Sequence, residues 1–173
     1  DGWLGAIKRI GLGSEKYAII MKGGDPDFDA RVSFGVETFG SCTNPRPAHD
    51  MPVGGLTIAM GRKPDFFRKV SKTMGFPDEA EGRVFTPEGF NLGRFEAIYE
   101  NWCTIVNCFS ICFRMQSTRL YSPEICAELY TAATGIPMTA PELLKAAERA
   151  YNLYRVINTR EGFTRKDDRL PER

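Results

Sequence analysis

The stretch from Phe95 to Met115, FEAIYENWCTIVNCFSICFRM, decides the fold class. Its apolar residues Phe95, Ile98, Trp102, Ile105, Val106, Phe109 and Phe113 recur at threes and fours with little charge, the period of a helix buried on most of its sides. One helix across 95–115 is predicted. Downstream, Ser122-Pro123-Glu124 supplies an N-cap and a first-turn proline, the helix runs through Leu129 and Tyr130, and Gly135 closes it. Thr139-Ala140-Pro141-Glu142 has the spacing of a capping box and opens another helix to about Asn158. Leu143, Leu144, Ala147, Tyr151, Tyr154 and Val156 fall loosely along one side of it, and Arg149, Arg155 and Arg160 along others. The C-terminal half therefore reads as a helical bundle.

Working outward toward the N-terminus, Trp3 to Ile10 is a short amphipathic helix stopped by Gly11. Tyr17 to Lys22 is a brief run of strand formers closed by Gly23-Gly24, and a strand is predicted there. Arg31 to Ser41 fits helix or strand by period. Residues 43–55 carry three prolines and two glycines, so no regular element runs through them and a shaped loop is expected. Phe66, Phe67, Val70 and Met74 predict a short helix over 64–74, and 75–93 is turn-rich and mixed. The fold class is mainly α: helical bundle lobes, with a short strand and long loops near the N-terminus. Three parts are expected: 1–60, a connection or insertion over 61–94, and 95–173.

With 42% hydrophobic and 26% charged residues, the 173-residue chain has the composition of a folded domain. Its 23 basic and 22 acidic residues nearly cancel, and the basic ones are scattered in pairs such as Lys8-Arg9 and Arg165-Lys166, which argues against nucleic acid. No apolar run approaches the roughly 20 residues that span a bilayer, so no membrane span is expected and a cytoplasmic location is. The start at Asp1 and the charged end at Arg173 suggest a piece of a longer chain.

The five cysteines, Cys42, Cys103, Cys108, Cys112 and Cys126, are an odd number, and three lie within ten residues. That pattern favours ligation or burial over disulfides. Cys108 and Cys112 would share a face of the predicted helix with Cys103 off it, so two thiolates meet but a complete four-cysteine cluster does not form. The alternative is that they pack as small apolar side chains. His49, the only histidine, follows two prolines and precedes Asp50, whose carboxylate would hold the ring and tune its proton affinity. It reads as a general acid or base, or as a loop histidine bonded to backbone.

Several stretches carry a family resemblance. Ala6 to Ala18 and on through Met21-Lys22-Gly23 resembles a segment of the aldehyde:ferredoxin oxidoreductase family that ends in Val-Lys-Gly. Phe28-Asp29-Ala30-Arg31 resembles its Tyr-Asp-Pro-Arg, and Thr43-Asn44 to His49 its Ser-Asn-Arg-Gly-x-x-His loop, with prolines in place of glycine. Asn107 to Cys112 is similar to its second Asp-x-x-Gly-Leu-Cys motif. Tyr151 to Asn158, then Arg160-Glu161-Gly162-Phe163-Thr164-Arg165-Lys166-Asp167-Asp168 to Pro171-Glu172-Arg173, is similar to its Asn-x-Arg-Glu-Gly-Phe-x-Arg-x-Asp-Asp…Leu-Pro-Glu-Arg ending. Residues from about 60 to 94 match nothing in that pattern.

The resemblance implies the C-terminal helical domains of such an enzyme, with residues 1–60 in a middle domain bearing the active-site loop and 95–173 carrying a cluster cysteine. It implies a tungsten or molybdenum bis-pterin and a four-iron four-sulfur cluster, with aldehydes oxidised to carboxylic acids. Cys112 would be a cluster ligand, Asn107, Cys108, Ser110 and Ile111 would meet the cofactor, and His49 and Arg46 would act in catalysis. Implied partners are ferredoxin or a dedicated electron-transfer subunit and the rest of the catalytic subunit, in an oligomer. The chain alone would be inactive, because the amino-terminal domain that supplies the pterin cradle and the other cysteines is missing from this sequence. Two departures stand out: Asn107 replaces an aspartate, removing a charge, and Ser110 replaces a glycine, removing freedom at positive φ. These leave room for a relative that reduces an aromatic acyl-coenzyme A, of the benzoyl-coenzyme A reductase type. A reading of another class is a non-catalytic helical interaction domain.

Overall fold

The computed structural model describes residues 2–24, 35–45, 63–112 and 120–170. Among them the architecture is mainly α, with helices α1 (Gly2–Ile10), α2 (Val36–Thr43), α3 (Pro64–Thr73), α4 (Asp78–Val84), α5 (Leu92–Cys108), α6 (Pro123–Thr134) and α7 (Ala140–Arg160). A two-stranded hairpin, β1 (Phe85–Thr86) and β2 (Gly89–Phe90), precedes α5 and pairs Phe85 with Phe90.

The start signals work as expected. Ser122 Oγ accepts from Ile125 N at the head of α6, and Thr139 and Glu142 form a reciprocal capping box at the head of α7. Gly135 closes α6 in the left-handed region, at φ 71°. Helix α5 is the organiser: it packs along α7 and touches α2, α4 and α6. One stripe of it, Phe95, Tyr99, Trp102 and Val106, is almost wholly buried. Phe95 lies 5.4–6.0 Å, centroid to centroid, from the rings of Phe67, Phe76, Phe90 and Tyr99. Burying one such side chain contributes roughly 1.5–3 kcal/mol. Cys126 and Ala127 of α6 and Leu143 and Ala147 of α7 close the core on the other side.

Three expectations change. Tyr17 to Lys22 is not a strand, because among the described residues no strand pairs with it: Tyr17 ends a 3₁₀ turn (Glu15–Tyr17), and Met21 forms an isolated bridge with Gly24. The segment 75–93 holds a helix and a hairpin whose Val84 and Phe85 belong to the core cluster. Helix α5 stops at Cys108 and does not continue to 115: Phe109 is its C-cap, and Ser110 then turns the chain at φ 56°. Cys108 and Cys112 therefore do not share a helix face. Among the described residues no helix is long and apolar enough to cross a membrane.

Candidate functional site

Helix α2 spans eight residues and ends with carbonyls that have no partner inside the helix. Donors from elements far away in sequence meet them. Arg155 Nη1 donates to Thr43 O at 2.7 Å, and the Tyr151 hydroxyl reaches the same oxygen at 3.3 Å. Lys22 Nζ donates to Asn44 O at 2.7 Å, and Asn158 Nδ2 donates to Pro45 O. Cations at a helix C-terminus also sit favourably in its dipole.

Asp168 pairs with both cations. It takes Lys22 Nζ at 2.7 Å and the Arg155 guanidinium in a fork, at 2.6 and 3.2 Å. Burial pushes its carboxyl up, but the hydrogen bonds from Arg155 and Lys22 prevail and hold it below the ordinary carboxylate range. Local geometry delivers each member. Lys22 and Gly23, at φ 49° and 82°, are the centre of a tight turn closed by two 2.9 Å bonds between Met21 and Gly24. Gly162, at φ 95°, ends α7 with Phe163 N bonded to Asn158 O, a Schellman turn that sends the chain back. The Thr164–Asp167 capping box then sets the 3₁₀ turn Arg165–Asp167 just before Asp168.

A second polar layer lies on α5. Glu100 accepts from Thr43 Oγ1 at 2.8 Å and hydrogen-bonds Tyr151, whose hydroxyl burial pushes up. Burial also raises Glu100, against the pull of those bonds and of Arg155 and Lys22. One turn earlier Glu96 is 1% exposed, and neither of its oxygens has a hydrogen-bond partner among the described residues.

The end of α5 completes the site. Ile111 N bonds Val106 O and Ser110 N bonds Asn107 O, both at 3.0 Å, which makes a Schellman turn with Ser110 at the left-handed position. Ile111 packs onto the core, while Asn107, Cys108, Ser110 and Cys112 are exposed. A cleft of about 230 Å³ opens here, with Asn44, Pro45, Glu100, Asn107, Cys108 and Tyr151 in its wall.

Of the residues singled out in the sequence, Asn107 and Cys108 are thus brought to one cleft with the end of α2. Ser110, Ile111 and Cys112 follow beyond the helix. Arg46 and His49 lie outside the described residues; Pro45, directly before Arg46, is in the cleft wall. Cys42, Cys103 and Cys126 are buried. Burial pushes the Cys126 thiol up to about 11, as suits packing more than ligation. Among the described residues no group of three or more His, Cys, Asp or Glu side chains gathers to hold a metal. Two thiols, Cys108 and Cys112, are exposed at the end of α5, with the Asn107 carboxamide next to the first. Arg155 reaches inward, and Glu96 and Glu100 escaped the apolar reading of α5. Their signal was two carboxylates four residues apart in a helix otherwise buried.

A comparison with known families matches residues 1–173 to aldehyde ferredoxin oxidoreductase, domains 2 & 3. The chain belongs to that family, which is one of oxidoreductases using a metal–pterin cofactor. No curated protein and no solved structure matches it.

Proposed function

We propose that this chain is the part of an aldehyde-oxidising, tungsten- or molybdenum-pterin enzyme that closes over the cofactor and offers one cysteine to its iron–sulfur cluster. The observation that carries this is the Schellman turn at the end of α5, which leaves Cys112 exposed just past a cleft walled by Asn107, Cys108 and Pro45. When bound, the bis-pterin metal supplies two-electron redox chemistry and the four-iron cluster relays single electrons.

The chain's own residues have distinct parts. The Cys112 thiolate is the soft ligand a cluster needs. Asn107 offers a carboxamide donor and acceptor where an aspartate would offer only acceptors, so a pterin is met there without charge. Cys108 stands in the cleft wall and the Ser110–Ile111 turn shapes the approach to Cys112. His49 takes or gives the proton at an imidazole nitrogen, and Arg46 orients the carboxylate product. The remaining cluster cysteines and the pterin cradle come from outside these residues, and the electrons pass to a ferredoxin or a dedicated subunit.

Metal and iron analysis of the anaerobically purified protein tests the reading. Tungsten or molybdenum with about four irons per chain supports it; neither metal leaves a helical interaction domain. Cys112→Ala is expected to lose cluster iron, and full iron in that variant sinks the assignment. His49→Asn is expected to keep both metals while turnover falls by roughly 10²–10⁴-fold. Unchanged turnover makes His49 structural. The neutral Asn107 favours a second reading, reduction of an aromatic acyl-coenzyme A, which a substrate screen separates from the first.

A further inference from the structure

Glu96, Glu100, Cys103 and Asn107 fall on one stripe of α5, at the four- and three-residue steps that place side chains above one another. The stripe starts in the interior at Glu96 and ends at the exposed Asn107, and from Glu100 onward it lines the cleft. Glu96 and Glu100 are 1% and 7% exposed, and carboxylates are seldom buried so deeply without partners. Glu100 has them, in Thr43 Oγ1 and Tyr151. Among the described residues Glu96 has none, and Ser41 Oγ, on the α2 helix that packs against α5, is likewise buried without a partner.

An ionised carboxylate in that position is far costlier than a neutral one, so Glu96 holds a proton. Burial first, and then the charge of Glu100, push it well above the ordinary range. Burial raises Glu100 as well, but there it is opposed. Lys22 from the turn and Arg155 and Tyr151 from α7 favour its charged form, while Asp168 occupies the two cations from the far side and Cys42 of α2 lies near Lys22 and Asp168. Two carboxyls one helical turn apart thus sit in unlike surroundings, Glu96 without donors among the described residues and Glu100 with donors and two cations nearby, which makes Glu96 the harder of the two to ionise.

We propose that Glu96, Glu100 and Tyr151 are a proton-holding group serving the cleft, with Glu100 taking up a proton released there and Glu96 keeping one in reserve behind it. This rests on the reading of the cleft as a redox site. Oxidation of an aldehyde with water gives a carboxylic acid, two electrons and two protons; the electrons leave through the cofactor to the ferredoxin or electron-transfer subunit. One proton forms an O–H bond on the Glu100 carboxylate and turns it into a neutral acid, and it leaves from there to solvent through the cleft between turnovers. Asn107 and Cys108 mark the outer end of that route.

Infrared spectroscopy of the purified protein at neutral pH reads the proton directly. A buried carboxylic-acid carbonyl band is expected, lost in Glu96→Gln and kept in Ser41→Ala. Its absence from the unsubstituted protein, or its survival in Glu96→Gln, overturns the proposal. Tyr151→Phe removes only the hydroxyl and is expected to move the titration of Glu100 upward in the same spectra; an unmoved titration also overturns it. In turnover, Glu100→Gln should lower kcat roughly a hundredfold with KM little changed and flatten the pH profile. A folded Glu100→Gln variant with the original pH profile counts against the proposal. Failure of the redox reading shows separately, as absence of metal and iron with the infrared band still present.

Discussion

Two stripes run side by side along α5 and obey different rules. Phe95 sits among the rings of Phe67, Phe76, Phe90 and Tyr99, all contributed by residues within about thirty positions. Glu100, one turn after Glu96, meets the end of α2, where Lys22, Thr43, Tyr151, Arg155 and Asp168 come together from distant parts of the chain. The apolar side tolerates imprecise geometry because dispersion and burial are non-directional. The polar side does not, since each buried donor or acceptor that misses its partner costs about 1–3 kcal/mol. One helix thus joins a forgiving core to an exacting knot, and the cleft opens on the exacting side.

The sharpest way to break that contrast is to damage each side and vary the pH. Phe95→Ala removes a ring at 0% exposure and is expected to cost about 3–5 kcal/mol. Asp168→Asn leaves Lys22, its side chain 4% exposed, without its carboxylate, and a similar loss of about 3–5 kcal/mol is expected at neutral pH. The two should diverge in acid. Because the folded-state pKa of Asp168 is lowered, its stabilisation is complete above the ordinary value of 3.8 and disappears as pH falls through the folded value. The deficit of Asp168→Asn relative to the unsubstituted protein should therefore shrink below about pH 4, while that of Phe95→Ala persists. Denaturant unfolding from pH 3 to 7 measures both; a pH-independent Asp168→Asn deficit would show that the knot is held by shape and not by charge.

The same contrast explains what was readable in the amino-acid order. The apolar stripe announces itself by period, as do the heads of α6 and α7 through Ser122 and Thr139. The knot has no period. Lys22, Arg155 and Asp168 fall inside stretches that match family motifs, but a motif does not say that its lysine seats on Asn44 O or that its aspartate pairs with that lysine. Glu96 and Glu100 were hidden by the hydrophobicity around them. Tyr17 to Lys22 was misread because strand propensity reports side-chain preference and not the presence of a neighbour to pair with. The candidate residues at the end of α5 stand out by motif, but the end of the helix among them does not, because serine is not a stop signal.

That serine gives the finest test. Among the described residues three helices end in Schellman turns: α3 with Gly75 at φ 64°, α7 with Gly162 at φ 95° and α5 with Ser110 at φ 56°. Each is followed by an apolar residue, Phe76, Phe163 and Ile111 in the same order. Only the turn leading to Cys112 asks a residue with a Cβ to take the left-handed conformation, at a cost of roughly 1–2 kcal/mol. Ser110→Gly relieves that strain but frees the unfolded chain by about 0.4–1 kcal/mol. A net gain of about 0.5 kcal/mol follows, seen as a rise of roughly 1–2 °C in Tm. Ser110→Val is expected to fall on the other side, since a β-branched residue is a true outlier at positive φ. If glycine instead destabilises the protein, the serine hydroxyl holds something in place beside Cys112, and strain at that turn is the smaller part of its role.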